Sequence, residues 1–495
     1  MIVYMLPLKN IKSNAMKSYK NASQFFCFVA VLLMLGISTL VTTGADTKVA
    51  NGQDKVFMAG AATSNITPSL GGGIIGNFGT PPPATYIHDE LHARCLALDD
   101  GSTKLVFIIV DNLGLYRELI DEAKEIIQKE TGIAPSNVLI SAIHTHSSIR
   151  GEGDYQKFVV RRLGDVVRIA LNNMEPASIG WGVGNVPEHV YVRRWIMKPG
   201  TDLPDPFGGK DKARMNPAVG DPNLLEPCAE PDPEVSFISV KSKDGRPIAL
   251  LANYGLHYVG GVPRGHISAD YFAVFADRIQ ELLKADRQDP PFVGMMSNGT
   301  SGDVTSTNRL GKPEKFEPYE KMRYVAENVA REVFRVHSKI EFHDWVPLRA
   351  VSEEIAVGVR KPDKKMEDRA QYVLNRPDTE KPIHRHEKVY AERILQLLEW
   401  PDEIDIPLQA FGIGDLAVVT TPFETFAETG MEIKAKSPFK TTFTIELANG
   451  YYGYLPTPRQ HDMGGYETWM GTNKVEKEAS VKIVDKLLSM LASIK

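Results

Sequence analysis

The chain is expected to adopt an α/β fold, with mixed β-sheets flanked by helices in a single large domain. Two observations carry that expectation. From about Val56 onward, short apolar runs of strand length alternate with amphipathic segments of helical period. The composition, 43% hydrophobic and 24% charged over 495 residues, suits a protein with a large core. The 40 Gly and 32 Pro follow no period, which excludes a collagen-like architecture, and there is no internal repeat.

Lys104-Leu-Val-Phe-Ile-Ile-Val110 is a continuous apolar run, as expected of a strand buried on both faces. Tyr116 to Glu130 places Leu119, Ile120, Ala123, Ile126 and Ile127 on one helical face, and Gly132 stops it. A strand over Val138 to Ile143 and a helix over Tyr155 to Leu171 follow. The alternation repeats with strand Pro247 to Tyr254, helix Asp270 to Lys284, strand Phe292 to Met296 and helix Tyr319 to Val336. Strands near 348–356, 405–412 and 415–420 lead into a helix near 425–435, and Val475 to Ile494 forms the last helix. Residues 199–233, rich in Pro and Gly, read as a long surface excursion. Residues 360–388, rich in charge, read as a solvated helix-and-loop insertion of the kind that often serves function.

The first 45 residues stand apart from this pattern. Lys9, Lys12, Lys17 and Lys20 precede an apolar run from Phe25 to Val41, small residues Thr43-Gly44-Ala45 follow, and no acid occurs before Asp46. That order is a secretory signal peptide, with a retained membrane anchor as the alternative. Residues 1–45 are therefore expected to direct export to the periplasm or the medium, leaving 46–495 as the functional domain. Cys95 and Cys228 then sit in a compartment where they could pair, but sequence does not place them. A formal charge of −5 with no long basic run excludes nucleic-acid binding through a phosphate-neutralising surface.

Metal-type residues stand where strands stop, the place where α/β proteins gather their sites. His144-Thr-His146 ends one apolar run; if the strand continues to His146, both imidazoles face one side. His257 follows a second run and Glu424 a third. Tyr454 and Tyr466 lie in Gly-rich loops near the end of the chain. Two His, one Glu and one further oxygen, with room for water, form a catalytic zinc pattern. The ordinary alternatives are hydrogen-bonded surface histidines, a structural His257 and a glutamate in the first turn of a helix. Asp111, at the end of another strand, could orient a ligand or be a plain loop aspartate. Asn298-Gly-Thr300 matches a glycosylation sequon.

Taken in order, these segments resemble the neutral/alkaline (non-lysosomal) ceramidase family, zinc amidases that split N-acyl sphingosine. The resemblance runs from Ala59 to Tyr466 through Ala-Thr-Ser-Asn-Ile-Thr-Pro68, His88-Asp-Glu-Leu-His-Ala-Arg94, His144-Thr-His-Ser147, His257, Ser268-Ala-Asp-Tyr271, Gly302-Asp-Val304 and Pro422-Phe-Glu424 to the tyrosine loop. It implies Zn²⁺ held by His144, His257, Glu424 and Tyr454. It also implies that His146, Arg193 and Tyr466 position substrate and stabilise charge; the Arg193-Arg194 pair leaves that register open by one residue. Where the family has Gly-Asp-Val-Ser-Pro-Asn, with a serine proposed as nucleophile, this chain has Gly302-Asp-Val-Thr305-Ser-Thr307. Thr305 is the corresponding nucleophile candidate. The family's immunoglobulin-like C-terminal domain is not expected after the tyrosine loop.

The resulting expectation is an exported zinc hydrolase cleaving the amide of an N-acyl sphingosine-like lipid, with possible contact to a membrane surface. Two alternatives remain open: the same zinc site acting on a polar glycan-related substrate as hydrolase or lyase, or a non-catalytic zinc- or carbohydrate-binding protein.

Overall fold

The computed structural model describes residues 55–495 apart from 151 and 378, so the signal-peptide expectation lies outside the described residues. The largest sheet is built from Met58–Asn65 (β1), His92–Asp99 (β2), Lys104–Val110 (β3), Val138–Ala142 (β4), Glu175–Asn185 (β5), Glu234–Ser242 (β6), Pro247–Tyr254 (β7) and Val293–Asn298 (β8). Its order is β8-β7-β6-β5-β1-β2-β3-β4. β1 joins β5 through only two residue pairs, Met58 with Pro176 and Ala59 with Glu175, so two four-stranded halves share a narrow junction. A second sheet orders Leu348–Gly358 (β9), Glu403–Ile413 (β10), Leu416–Thr420 (β11) and Thr441–Ile445 (β12).

Sequence explains most of this directly. β3 is buried at every position after Lys104, as its unbroken apolar run requires. Helix Arg117–Thr131 (α1) buries Leu119, Ile120, Ala123 and Ile127, and ends on Gly132 at φ 75°, a left-handed cap that glycine adopts without strain. Helix Gly153–Asn172 (α2) packs on α1 and β1, while Asp270–Leu282 (α3) and Glu320–His337 (α4) pack on each other and on the other half. The Phe107 and Phe411 rings, 5.2 Å apart, join the two sheets in one core. The charged insertion forms helix Lys364–Asn375 (α5), capped by the Asp363 carboxylate on the Met366 N–H, and leads into Glu387–Glu399 (α6). These two helices carry their own small apolar cluster.

Within these two sheets three strand pairs are parallel: β3 with β4, β7 with β8, and β11 with β12. Their carboxyl ends run to the same place, the position where sheets of this kind bind ligands. Cys95 and Cys228 are buried free thiols, so they do not pair. Asn298 is fully buried inside β8, which removes the sequon from any surface role in the folded chain.

Candidate metal centre

Each candidate ligand leaves the end of one parallel strand. β4 stops at Ala142, and His144 adopts φ 69°. The i, i+2 argument for placing His144 and His146 on one strand face therefore fails. The left-handed turn at His144, a conformation uncommon outside glycine, brings both rings inward instead. His257 follows β7 and Glu424 follows β11. Tyr454 reaches Glu424 through a short parallel pairing of Glu424–Thr425 with Tyr454–Leu455.

These turns bring lone pairs together. The His144 Nδ1–H donates to the Leu113 carbonyl at 2.8 Å, which turns Nε2 toward the site. The His257 Nδ1–H faces the Ser301 carbonyl at 3.2 Å, which does the same for its Nε2. Glu424 Oε2 lies 3.2 Å from His144 Nε2 and 3.7 Å from His257 Nε2. His146 Nε2 is 3.3 Å from His144 Nε2. Electron-pair donors this close need a proton or a metal ion between them. Tetrahedral zinc with bonds of about 2.0–2.1 Å sets its ligand atoms about 3.3 Å apart. His144, His257 and Glu424 are no more than 4% exposed, and Glu424 Oε2 is a buried oxygen without a hydrogen bond. The donor set fits a zinc ion. His144, His146 and His257 also form a group able to hold a metal.

The electrostatics agree. Burial pushes the His146 and His257 imidazoles well below their ordinary range, with His144 and Arg193 adding to it, so both stay neutral. Burial would raise the Glu424 carboxyl, but His144, Tyr454 and Arg193 outweigh it and hold it below the usual range. Burial drives the Tyr454 hydroxyl well up, with Arg193 opposing and Glu424 adding to the rise.

Around this centre Arg193 and Arg194 point different ways. Arg193 lies over the Tyr454 ring at 5.2 Å and reaches His257 Nε2 at 3.3 Å through one Nη. Its other Nη is buried without a partner. Arg194, fully buried, turns away to Gln460 and the Gly464 carbonyl. Glu467 joins the two, accepting from Arg193 Nε at 2.9 Å and Arg194 Nη1 at 2.6 Å. Tyr466 meets Tyr454 edge-on at 5.7 Å. His146 stacks on Tyr258 at 3.8 Å, and a Cβ on Gly76 would lie 2.6 Å from His146 Nδ1.

Two sequence candidates make no hydrogen bond to the cluster among the described residues. Thr305 pairs with Tyr191 across a short ladder, and its hydroxyl accepts from the Thr307 N–H at 3.3 Å. Among the described residues it makes no hydrogen bond or ring contact with the histidines. Asp111 is held by Arg94 at 2.6 Å; the ligand is oriented two residues later, by the Leu113 carbonyl. Sequence reasoning gave no role to Tyr451, whose hydroxyl donates to Glu424 Oε1 at 2.7 Å, or to Tyr258, Glu446 and Glu467. The Tyr451 and Glu467 signal was adjacency to Tyr454 and Tyr466; Glu446 left none.

The fold and cluster define a mixed α/β protein with a buried histidine–carboxylate centre suited to a metal. Comparison with known proteins narrows this. No family model matches the chain. It is 22% identical over 311 residues to neutral ceramidase A of Dictyostelium discoideum, covering 58% of this chain and 42% of that one. To neutral ceramidase B of the same organism it is 21% identical over 267 residues, covering 52% and 36%. The match spans less than half the length of these curated relatives. The structure of neutral ceramidase from Pseudomonas aeruginosa superposes with a TM-score of 0.67 at 14% identity, covering 89% of this chain and 75% of that one. A ceramidase complexed with C2 gives 0.65 at the same identity. The chain has the neutral ceramidase fold and is a distant relative of that family.

Proposed function

We propose that the chain is an exported zinc-dependent amidohydrolase that cleaves an N-acyl sphingosine-like lipid into a fatty acid and a free amine. The observation that carries this is the approach of His144 Nε2 and His257 Nε2 to Glu424 Oε2, at 3.2 and 3.7 Å, with Tyr454 alongside. Zinc bound there would polarise the scissile carbonyl and supply hydroxide near neutral pH. The remaining work falls to the chain. The free Nη of Arg193 donates to the oxyanion that forms as the carbonyl becomes tetrahedral, and Tyr466 adds its hydroxyl. His146, half-buried and neutral at rest, takes up the proton that the attacking water gives off and hands it to the departing amine nitrogen as the C–N bond breaks. Glu467 fixes the aim of Arg193, and the Tyr258 ring fixes that of His146. Water is consumed and the products are a carboxylate and an ammonium.

A cavity of about 710 Å³ lies beside the same loops, lined by Val259, Val262, Phe316 and Lys321 among others. None of the candidate ligands lines it, so it is a neighbouring chamber.

One feature is equally suited to a polar substrate. Phe78, 40% exposed, stacks on His386 at 3.9 Å, meets Tyr466 edge-on at 5.9 Å and carries the Arg393 guanidinium at 5.5 Å. An aromatic and cationic rim of this kind suits a sugar ring as well as a sphingoid headgroup. The test is release of fatty acid from an N-acyl sphingosine by zinc-loaded protein, beside an N-acyl amino sugar and a His257→Ala blank. Turnover of the lipid that vanishes in the blank supports the first reading. Turnover of the amino sugar alone transfers the assignment to a glycan-related amide.

A further inference from the structure

We infer that Glu446 is the positioning residue that locks the His257 and Glu424 arms of the metal centre into register. This rests on the metal centre proposed above. Glu446 is fully buried and directly follows β12. Its Oε2 accepts from the Thr425 N–H at 2.7 Å, the peptide immediately after Glu424. The same oxygen accepts from the Ser301 N–H at 3.2 Å, and Oε1 accepts from the Ser301 hydroxyl at 2.6 Å. Ser301 in turn presents its carbonyl and hydroxyl to His257 Nδ1 at 3.2 and 3.3 Å. One carboxyl group therefore spans the backbone of one ligand and the orienting group of another.

The backbone of Glu446 extends the clamp to the remaining strands. Its N–H donates to the Asn298 carbonyl at the end of β8 at 3.1 Å. Its carbonyl accepts from the Ser141 hydroxyl of β4 at 2.8 Å, three residues before His144. The next residues continue the contact: the Leu447 carbonyl accepts from Ala142 N–H, and the Asn449 N–H donates to the Ile140 carbonyl. Leu447 and Asn449 both hold positive φ, so the chain bends sharply to make these bonds. A buried carboxyl reaching two ligand arms, on a strained segment bonded to the strand of a third, has the form of a partner that orients metal ligands.

The consequence is specific. Removing the Glu446 carboxyl frees the Thr425 and Ser301 N–H groups in a buried place, and the Ser301 carbonyl loses its fixed aim at His257. Glutamine keeps an oxygen for the two N–H groups and an amide for the Ser301 hydroxyl. The Glu446→Ala protein is expected to lose zinc affinity by about 10- to 100-fold. Its cobalt-substituted form is expected to show a shifted d–d spectrum and a lower kcat with KM little changed. Glu446→Gln is expected to restore affinity and spectrum to within about threefold of wild type. If Glu446→Ala does not fold, Glu446→Asp, retracted by one methylene, carries the same expectation.

Wild-type zinc affinity and an unshifted cobalt spectrum in Glu446→Ala would overturn the inference. So would an equal loss in Glu446→Gln. These readouts are independent of substrate: a wild-type protein that binds zinc but hydrolyses nothing overturns the proposed function and leaves the clamp standing. If the wild type binds no zinc, the clamp is decided in the apoprotein by the His257 Nδ1–H resonance. A slowly exchanging signal that Glu446→Ala abolishes sustains it, and a signal unchanged in Glu446→Ala overturns it.

Discussion

Replacing Glu467 tests whether the arginine pair is assembled as described. Its side chain is fully buried between Arg193 and Arg194, with one oxygen given to each at 2.9 and 2.6 Å. In Glu467→Gln one oxygen remains, but an NH₂ now faces a guanidinium N–H, and the charge that offset two buried cations is gone. Breaking a buried ion pair from one side costs about 3–5 kcal/mol, because the partner is left charged and dry. Arg194 keeps Gln460 and the Gly464 carbonyl, which places the expected cost at the lower end, about 3 kcal/mol. Arg193 keeps Tyr454, and His257 Nε2 is given to zinc in the loaded protein, so its free Nη should lose its aim. Loss of an oxyanion donor lowers kcat by about 10²- to 10³-fold. Urea unfolding at pH 7 with and without zinc measures the first effect, and steady-state kinetics the second. A cost below about 1 kcal/mol, the range of a surface pair, together with intact kcat, would refute the reasoning.

Other outcomes follow from the same geometry. Gly76→Ala should disable turnover while leaving zinc bound, because a Cβ there meets His146 Nδ1 at 2.6 Å on a backbone with φ 110°; metal analysis beside an activity assay checks both parts. Thr305→Val should keep kcat within about threefold, since its hydroxyl is turned to Thr307 rather than to the histidines; a loss above about 10²-fold would make Thr305 the nucleophile. Burial and the charges of Arg360 and Lys477 push His461 down to about 3. The unfolded chain therefore takes up that proton near pH 6.5 while the folded chain does not, so this contribution is complete above pH 6.5 and lost as pH falls. His461→Gln should match wild type at pH 8 and gain on it by up to about 1.4 kcal/mol per pH unit below pH 6, read from denaturant midpoints.

How far the sequence speaks for this molecule depends on the residue. The runs at Lys104–Val110 and Pro247–Tyr254 were legible because burial on both faces demands unbroken apolar residues. β2 and β6 were not read, because Arg94, Ser236 and Ser239 interrupt the apolar pattern and are nonetheless buried. β5 escaped for another reason: three glycines lie within it, and a Cβ on Gly180 would meet the Glu341 carbonyl at 2.5 Å. His144, His257 and Glu424 were visible as polar residues just past strands, but the turn at His144 was not, since a left-handed histidine leaves no trace in residue type. Glu446 and Glu467 owe their roles to partners more than a hundred residues away, as with Ser301 and Arg193. Pattern along the chain cannot carry that information.

The most direct test of the metal centre is a crystal of the zinc-loaded protein with anomalous diffraction recorded on both sides of the zinc edge. The account predicts one strong peak within about 2.0–2.2 Å of His144 Nε2, His257 Nε2 and Glu424 Oε2, with the Tyr454 hydroxyl beside it. A peak elsewhere in the chain, or one bound without Glu424, would contradict it.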